Sequence, residues 1–110
     1  GALAMGDIGE HFPNTHPDFK GIDSKLLLKK VYEKMLSTVY ALSNCDCTVV
    51  LEKPKLSPFI VEMRQKIAEI LDVEFSQISI KATTSEGMGF VGRKEGAAAY
   101  STVLLIKKEN

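Results

Sequence analysis

The sequence has no excess of charge of either sign. Its 110 residues include 14 Lys and Arg against 14 Asp and Glu, with two histidines. A chain without a net positive field gives no reason to expect binding to nucleic acid or to a membrane surface. No apolar run approaches the length that crosses a bilayer. The length and the 45% hydrophobic content instead predict a single folded domain over residues 1–110.

Cysteine and histidine are also scarce. On a strand, Cys45 and Cys47 would point to the same face, at a separation too wide for easy disulfide formation. No third cysteine completes a metal site, so we interpret both thiols as reduced core residues. Asp46 would face the other side of the sheet and would need a partner if buried. The loop histidines His11 and His16 are interpreted as surface residues. The sequence has no Ser/His/Asp triad and no Walker-type glycine loop.

A strand–helix–strand unit is predicted between Cys45 and Ala82. Cys45–Glu52 is apolar and β-branched, as in strands buried on both faces. Ser57 and Pro58 are typical of a helix start, and the helix is expected to end near Asp72. Gln77–Ala82 is the second strand. Such a unit makes two parallel strands joined by a right-handed crossover.

Ligands of parallel sheets bind beyond the carboxyl ends of the strands. Here two loops occupy that position, Leu51–Ser57 and Thr83–Glu86, and we call them the first and second edge loops. They are expected to lie side by side. The N–H groups at the start of the Ser57 helix would favour an anion nearby.

The remaining segments complete an α+β domain with a mixed β-sheet, a β-α-β core and helices packed on one face. Residues 1–6 resemble the last turn of a helix with Gly6 as its C-cap, and residues 7–22 are expected to form a loop. A helix is predicted from Asp23 or Ser24 to about Leu42, and a long strand over Gly96–Lys107. Two helices are few for such a sheet, which indicates that a subunit partner covers the rest.

The most informative stretch is Lys81–Arg93, which contains three hydroxyls, a carboxylate, three glycines and an arginine. Hydroxyls, backbone N–H groups and arginine bind phosphate oxygens, and glycine lets the backbone approach a ligand closely. A carboxylate beside a phosphate is typical of a divalent-cation site. The sequence therefore predicts a phosphate site with a metal.

The motifs resemble those of the 2-C-methyl-D-erythritol 2,4-cyclodiphosphate synthase family. The resemblance covers essentially all 110 residues. It rests on Gly6-Asp7-Ile8-Gly9 with Phe12-Pro13, Phe19-Lys20-Gly21 and Asp23-Ser24, on Asn44-x-Asp46, on Pro54-Lys55 with Pro58 and Met63-Arg64, and on Lys81-Ala82-Thr83-Thr84-x-Glu86-x-x-Gly89-Phe90-x-Gly92-Arg93-x-Glu95-Gly96.

The resemblance implies a homotrimer with active sites between subunits. It implies a phosphorus–oxygen lyase of non-mevalonate isoprenoid biosynthesis, in which the 2-phosphate of 4-diphosphocytidyl-2-C-methyl-D-erythritol 2-phosphate attacks the β-phosphorus and CMP leaves. Such a reaction needs no enzyme nucleophile; it needs positioning and charge neutralisation. The resemblance thus implies a cytidine diphosphate ester as the small-molecule partner, and either bacterial cytoplasm or a plastid-type organelle as the compartment.

Roles are carried over by position. Thr84 is expected to stabilise the transition state, and Thr83 and Ser85 to hold the diphosphate or cytidine. Glu86 is expected to bind Mg²⁺ or Mn²⁺. Phe90 and Arg93 would complete the site or line the trimer's central cavity. The cytosine pocket would be Leu51, Glu52, Lys53, Pro54, Lys55, Leu56 and Ser57, with Lys55 near phosphate, and the lid over the methylerythritol phosphate end would be Asp7, Ile8, Gly9, Phe12, Pro13, Asn14, Thr15 and His16.

Several positions depart from the family pattern. The family's zinc ligands, from an Asp-x-His and a further histidine, are expected before Gly1. Asn14 and His16 stand where acidic residues are common, Gly87 replaces a usual lysine and Lys94 a usual glycine. Two alternatives to the enzyme are a non-catalytic cytidine-nucleotide-binding or regulatory trimer, and a structural oligomeric domain. Nucleotide binding separates the second alternative from the other two, and turnover separates the enzyme from the binder.

Overall fold

The structure, a computed structural model, describes residues 1–109. The chain forms two compact units: residues 1–41 with the chain end from Leu105, and Leu42–Leu104. In chain order the elements are α1 (Ile8–His11), α2 (Ser24–Leu36), β1 (Tyr40–Val50), α3 (Ile60–Leu71), β2 (Ile78–Thr83), α4 (Gly89–Gly92) and β3 (Ala98–Lys107), with 3-10 turns at Ser57–Phe59 and Phe75–Gln77.

The sheet has the strand order β2-β1-β3, and β1 pairs with β2 in parallel. Their register runs from Cys45 opposite Ile78 to Val50 opposite Thr83. β3 runs the other way along β1, because Lys108 N–H donates to the Val39 carbonyl at one end while Ser101 lies beside Cys45 further along. The sheet is therefore mixed, and the β-α-β core is confirmed.

α3 covers β2 in the Leu42–Leu104 unit. Its inner face contributes the buried residues Ala68 and Leu71, and Ile78 at the start of β2 has no exposed surface. The helix ends where expected: Asp72 adopts the left-handed conformation at φ 50°, and Val73 N–H donates to the Ala68 carbonyl. This reversal satisfies carbonyls that a helix end leaves unpaired.

The prediction that the helix starting at Ser24 continues to Leu42 is wrong. Asp23 caps α2 by accepting from Lys25 N–H at 2.7 Å, but the helix ends at Leu36. Ser37 Oγ donates to the Lys34 carbonyl and Thr38 Oγ1 to the Met35 carbonyl, both at 2.6 Å. These hydroxyls satisfy the last carbonyls of the helix, and the chain then becomes β1.

Three local predictions near the loops are also wrong. Residues 1–6 form a turn closed by Ala4 N–H on the Gly1 carbonyl, and no helix passes through them. The expected loop over residues 7–22 contains the short helix α1. Ser57 does not cap a helix with its side chain; it begins a 3-10 turn whose N-cap is Leu56, and the α-helical part starts at Ile60. Pro58 does lie in the first positions of that turn.

The cysteines are free thiols on β1, with Cys45 buried and Cys47 half-buried. Their sulfurs are 3.7 Å apart, and each lies 3.6 Å from Ser101 Oγ. Burial raises the pKa of the Cys45 thiol. In residues 1–109 no helix has both the length and the apolar character of a membrane span.

Candidate functional site

The two edge loops leave the sheet from the same row. Val50, the last residue of β1, lies opposite Thr83, the last residue of β2. One residue further, Leu51 N–H donates to the Thr83 carbonyl at 2.9 Å. The sequence-based prediction that these loops lie side by side is therefore confirmed.

A side chain of the first edge loop continues this pairing. The Glu52 carboxylate accepts from Ser85 N–H at 2.7 Å and lies 3.1 Å from Ser85 Oγ, all through Oε1. Both residues are half-buried. Hydrogen bonds to an ionised carboxylate are short and about twice as strong as neutral ones. Glu52 thus connects the two edge loops through a side chain, which the sequence did not indicate.

The hydroxyls of the second edge loop differ in what they can still donate. Thr83 Oγ1 donates to the Thr84 carbonyl at 3.1 Å. Ser85 Oγ lies within reach of two acceptors, Glu52 and, at 2.7 Å, the Met88 carbonyl, so its one proton is used inside the protein. Within residues 1–109, Thr84 Oγ1 accepts from Glu86 N–H at 3.2 Å, and its own proton has no acceptor.

Glu86 has the side chain best suited to a hard cation. It is exposed, its backbone φ is 54°, and its carboxylate makes no ion pair or hydrogen bond within residues 1–109. Mg²⁺ is commonly held by one or two carboxylates together with substrate phosphate oxygens. The donor set of this loop therefore fits Mg²⁺ or Mn²⁺ bound jointly by Glu86 and a phosphorylated ligand.

A tight backbone contact closes the loop after Glu86. A Cβ added to Gly92 would lie 2.1 Å from the Gly87 carbonyl carbon, a distance that no side chain can occupy. Gly92 N–H donates to the Met88 carbonyl at 3.0 Å. This glycine was expected to admit a ligand, and the structure uses it to bring two backbone segments together.

The two other predicted residues of this stretch lie on and after α4. Phe90 is 50% exposed. Arg93 makes a two-point ion pair with Glu95, with Nε 2.7 Å and a terminal nitrogen 3.3 Å from the carboxylate oxygens. Glu95 has no role predicted from the sequence, although the opposite charges at positions 93 and 95 indicated a possible pair. Any anion that binds Arg93 must compete with this carboxylate.

The rest of the first edge loop is exposed and cationic. Lys53 and Lys55 are exposed, and neither has an ion-pair partner in the described part of the chain. The loop then turns through Leu56, whose carbonyl accepts from Phe59 N–H at 2.8 Å, into α3. Unpaired ammonium groups beside a helix start are suited to phosphate.

Strand residues next to the second edge loop carry a paired charge. Lys81 donates to Asp46 Oδ2 at 3.0 Å, which gives Asp46 the partner it was expected to need. This hydrogen bond holds the pKa of the Asp46 carboxyl below its ordinary value. The Lys81 charge is therefore matched within the sheet, and the unpaired lysines of the first edge loop are the freer cations.

The predicted lid residues belong to the first compact unit, where aromatic contacts order them. The Phe12 ring meets the Phe19 ring edge-on at a centroid distance of 5.3 Å, and Lys34 of α2 lies over Phe12 at 5.4 Å. His16 Nδ1 accepts from Asp18 N–H, and His11 Nε2 lies 2.7 Å from the Met5 carbonyl. Both histidines thus serve local structure. Asp7, Ile8 and Gly9 form the start of α1.

Zinc does not fit the described residues. Residues 1–109 contain no group of three or more His, Cys, Asp or Glu side chains arranged to hold a metal ion. Catalytic zinc sites in enzymes use three protein ligands and a fourth position for water or substrate.

The fold and the edge loops define a class of protein: an α+β domain with polar groups at the carboxyl edge of two parallel strands. Within residues 1–109 these groups are hydroxyls, two lysines without an ion-pair partner and the Glu86 carboxylate, and such groups are suited to a phosphorylated ligand and a divalent cation. The model of the YgbB family matches residues 1–106, and the chain belongs to that family.

Individual relatives agree with this assignment. The 2-C-methyl-D-erythritol 2,4-cyclodiphosphate synthase of Acinetobacter baumannii is 58% identical over 105 residues, which are 96% of this chain and 66% of the relative. Among solved structures, the bifunctional IspDF of Campylobacter jejuni matches with a TM-score of 0.92 and 44% identity, over 100% of this chain and 30% of that one. The Plasmodium falciparum IspF CDP complex matches with a TM-score of 0.86 and 30% identity, over 99% and 65%. The chain thus spans slightly less than two thirds of the Acinetobacter relative.

Proposed function

We propose that the protein is a 2-C-methyl-D-erythritol 2,4-cyclodiphosphate synthase. It would convert 4-diphosphocytidyl-2-C-methyl-D-erythritol 2-phosphate to the cyclic diphosphate and CMP. Family membership and the 58% identical synthase of Acinetobacter baumannii support this proposal. The observation that carries it is the convergence of the edge loops, joined by Leu51 N–H on the Thr83 carbonyl and by Glu52 on Ser85.

The reaction is an internal phosphoryl transfer. An oxygen of the 2-phosphate forms a bond to the β-phosphorus, and the bond from that phosphorus to the bridging oxygen of CMP breaks. CMP leaves with the electron pair, and no water is consumed. The protein has to fold the substrate so that the attacking oxygen is in line and to stabilise the charge on the oxygens.

Thr84 is proposed as the residue that stabilises the transition state. Its hydroxyl accepts from Glu86 N–H and keeps its proton, whereas the protons of Thr83 and Ser85 go to Thr84 O and to the Glu52 or Met88 acceptors. A donor placed where charge develops lowers the barrier more than one that only binds the ground state. We propose that Thr83 and Ser85 act mainly through the shape of the loop.

Mg²⁺ or Mn²⁺, held by Glu86 and the substrate phosphates, would supply positive charge at the transferring phosphoryl group. Lys55 would contribute a second positive charge, and the backbone of the first edge loop would receive the cytosine. The lid residues Asp7 to Gly9 and Phe12 to His16 are proposed for the methylerythritol phosphate end. The zinc ligands and a compartment that is bacterial cytoplasm or a plastid-type organelle stay predictions.

A homotrimer with sites between subunits remains part of the proposal. β3 exposes large apolar side chains, with Tyr100 66% and Leu104 61% exposed, and exposed apolar side chains are enriched at protein interfaces when they form a patch. Sedimentation equilibrium should return a mass of three chains. A monomer at micromolar concentration would contradict the trimer.

Two measurements test the function. Titration with CDP in the presence of Mg²⁺ should show saturable binding, and incubation with the substrate should release CMP together with the cyclic diphosphate. CDP binding without CMP release would favour the alternative, a non-catalytic cytidine-nucleotide-binding or regulatory trimer. If the protein neither binds CDP nor releases CMP, the result would favour a structural oligomeric domain and contradict the proposal.

A further inference from the structure

Glu52 is a carboxylate in an unfavourable place for the proposed ligand. It is half-buried in the first edge loop and has no Lys, Arg or His ion-pair partner within residues 1–109. A negative charge beside bound phosphates raises the free energy of the complex unless something offsets it. An acidic side chain at this position therefore calls for a role other than attracting the ligand.

Its hydrogen bonds show what that role is. Oε1 of Glu52 lies 2.7 Å from the donating Ser85 N–H and 3.1 Å from Ser85 Oγ. The preceding residue, Leu51, donates to the Thr83 carbonyl. Leu51 and Glu52 are thus hydrogen-bonded to Thr83 and Ser85, the residues on either side of Thr84.

Thr84 lies between the two residues that these bonds hold. Thr84 has no hydrogen bond to the first edge loop among the described residues, and its Oγ1 contacts only Glu86 N–H within its own loop. The backbone of Thr84 is therefore held from outside its loop at Thr83 and at Ser85. Breaking the hydrogen bonds between Glu52 and Ser85 would let Thr84 and Glu86 move, while the sheet pairing at Thr83 stays in place.

We propose that Glu52 is a positioning residue. Its carboxylate holds Ser85 through hydrogen bonds and thereby orients the Thr84 hydroxyl. The inference rests on the proposed function for its catalytic consequence and reassigns Glu52, which the sequence analysis placed among the substrate-binding residues. Glu52 acts through Ser85 and does not touch the substrate. The acceptor atom matters more than the charge, since one oxygen takes both bonds.

This distinction is tested with a pair of variants of the protein. Glu52→Ala removes the acceptor, and Glu52→Gln keeps an oxygen acceptor without the charge. Glu62→Ala is the matched control, because Glu62 is an exposed carboxylate on α3 without a partner in the described chain. For each protein, kcat, KM, the Kd of CDP and the hydrogen-exchange rate of the Ser85 amide are measured.

Glu52→Ala should lower kcat roughly 10- to 100-fold, while the Kd of CDP changes only a few-fold. The Ser85 amide should exchange about 10-fold faster in the ligand-free protein. Glu52→Gln should recover most of kcat and of the amide protection, and Glu62→Ala should match the unaltered protein in every measurement. A general loss of structure would instead change exchange throughout α3 and β2.

Three outcomes would overturn the proposal: unchanged Ser85 exchange in Glu52→Ala, a Gln variant as impaired as the Ala variant, or a rise in the CDP Kd that accounts for the whole loss in kcat/KM. The last outcome would place Glu52 against the nucleotide. If neither the unaltered protein nor any variant releases CMP, the proposed function fails. The exchange rates of the Ser85 amide then decide by themselves whether Glu52 holds Ser85.

Discussion

Leu51 N–H donates to the carbonyl oxygen of Thr83 at 2.9 Å, one residue beyond the last paired row of β1 and β2. The bond extends the parallel pairing past the end of the strands. It holds the starts of the two edge loops together, and everything proposed for the site depends on that arrangement.

Thr84→Ala should lower kcat by about 100- to 1000-fold, the loss typical of removing one donor aimed at transition-state charge. Folding should be spared, because Thr84 is exposed and its Oγ1 only accepts one bond from Glu86 N–H. Rapid-quench assays of CMP release measure the loss. Thr84→Ser, which keeps the hydroxyl, should remain within a few-fold of the unaltered protein; a serine variant as slow as the alanine variant would argue against the hydroxyl as the active group.

Glu86→Ala should lower turnover by orders of magnitude and weaken the dependence of activity on Mg²⁺ concentration. The carboxylate has no structural partner within residues 1–109, so unfolding by urea should be unchanged. Magnesium titration of the rate is the direct measurement. Full activity at low Mg²⁺ would remove Glu86 from the metal site.

Gly92→Ala should destabilise the fold by about 1–3 kcal/mol or more, because overpacking forces backbone shifts. The new Cβ would meet the Gly87 backbone at 2.1 Å. Gly96→Ala is the matched control, since a Cβ there lies 3.6 Å from the Phe90 ring, an ordinary contact. Urea denaturation of both variants compares them, and equal stabilities would show that the loop relaxes around the added methyl group.

Asp46→Asn should lower stability at neutral pH and reduce the loss of stability on acidification. The Lys81 hydrogen bond lowers the pKa of Asp46 in the native state. A depressed native pKa contributes stability above the unfolded carboxyl pKa of about 3.9, and this contribution disappears as pH falls through the lower native value. The free energy of unfolding of variant and unaltered protein should therefore converge at acidic pH and in high salt.

Asp7→Asn provides the control for this comparison, because Asp7 is exposed and its side chain makes no hydrogen bond or ion pair among the described residues. A stability difference for Asp46→Asn that stays constant from neutral to strongly acidic pH would show that the pair with Lys81 does not contribute.

The backbone-level features of the site were predictable from the sequence, and the side-chain contacts were not. Apolar strands flanking an amphipathic helix were enough to place Leu51 beside Thr83, because parallel strands must end at one edge. Glu52 on Ser85 and Glu95 on Arg93 depend on rotamers and on the exact turn, which periodicity does not encode. Both contacts change which groups can still bind a ligand.

The end of α2 shows a different limit. Val39 and Leu42 fit helical spacing with the preceding apolar residues, so the pattern predicted a longer helix. The hydroxyls of Ser37 and Thr38 take the last carbonyls instead, and Tyr40 N–H donates to Thr38 Oγ1. Local hydrogen bonds of this kind compete with the helix, and they overrode the periodicity here.

The central claim is tested most directly by incubating the full-length protein with 4-diphosphocytidyl-2-C-methyl-D-erythritol 2-phosphate and Mg²⁺ and following the phosphorus spectrum. The account predicts that CMP and the cyclic diphosphate appear in equal amounts, without inorganic phosphate or a linear hydrolysis product. Unchanged substrate in the presence of folded protein would contradict it.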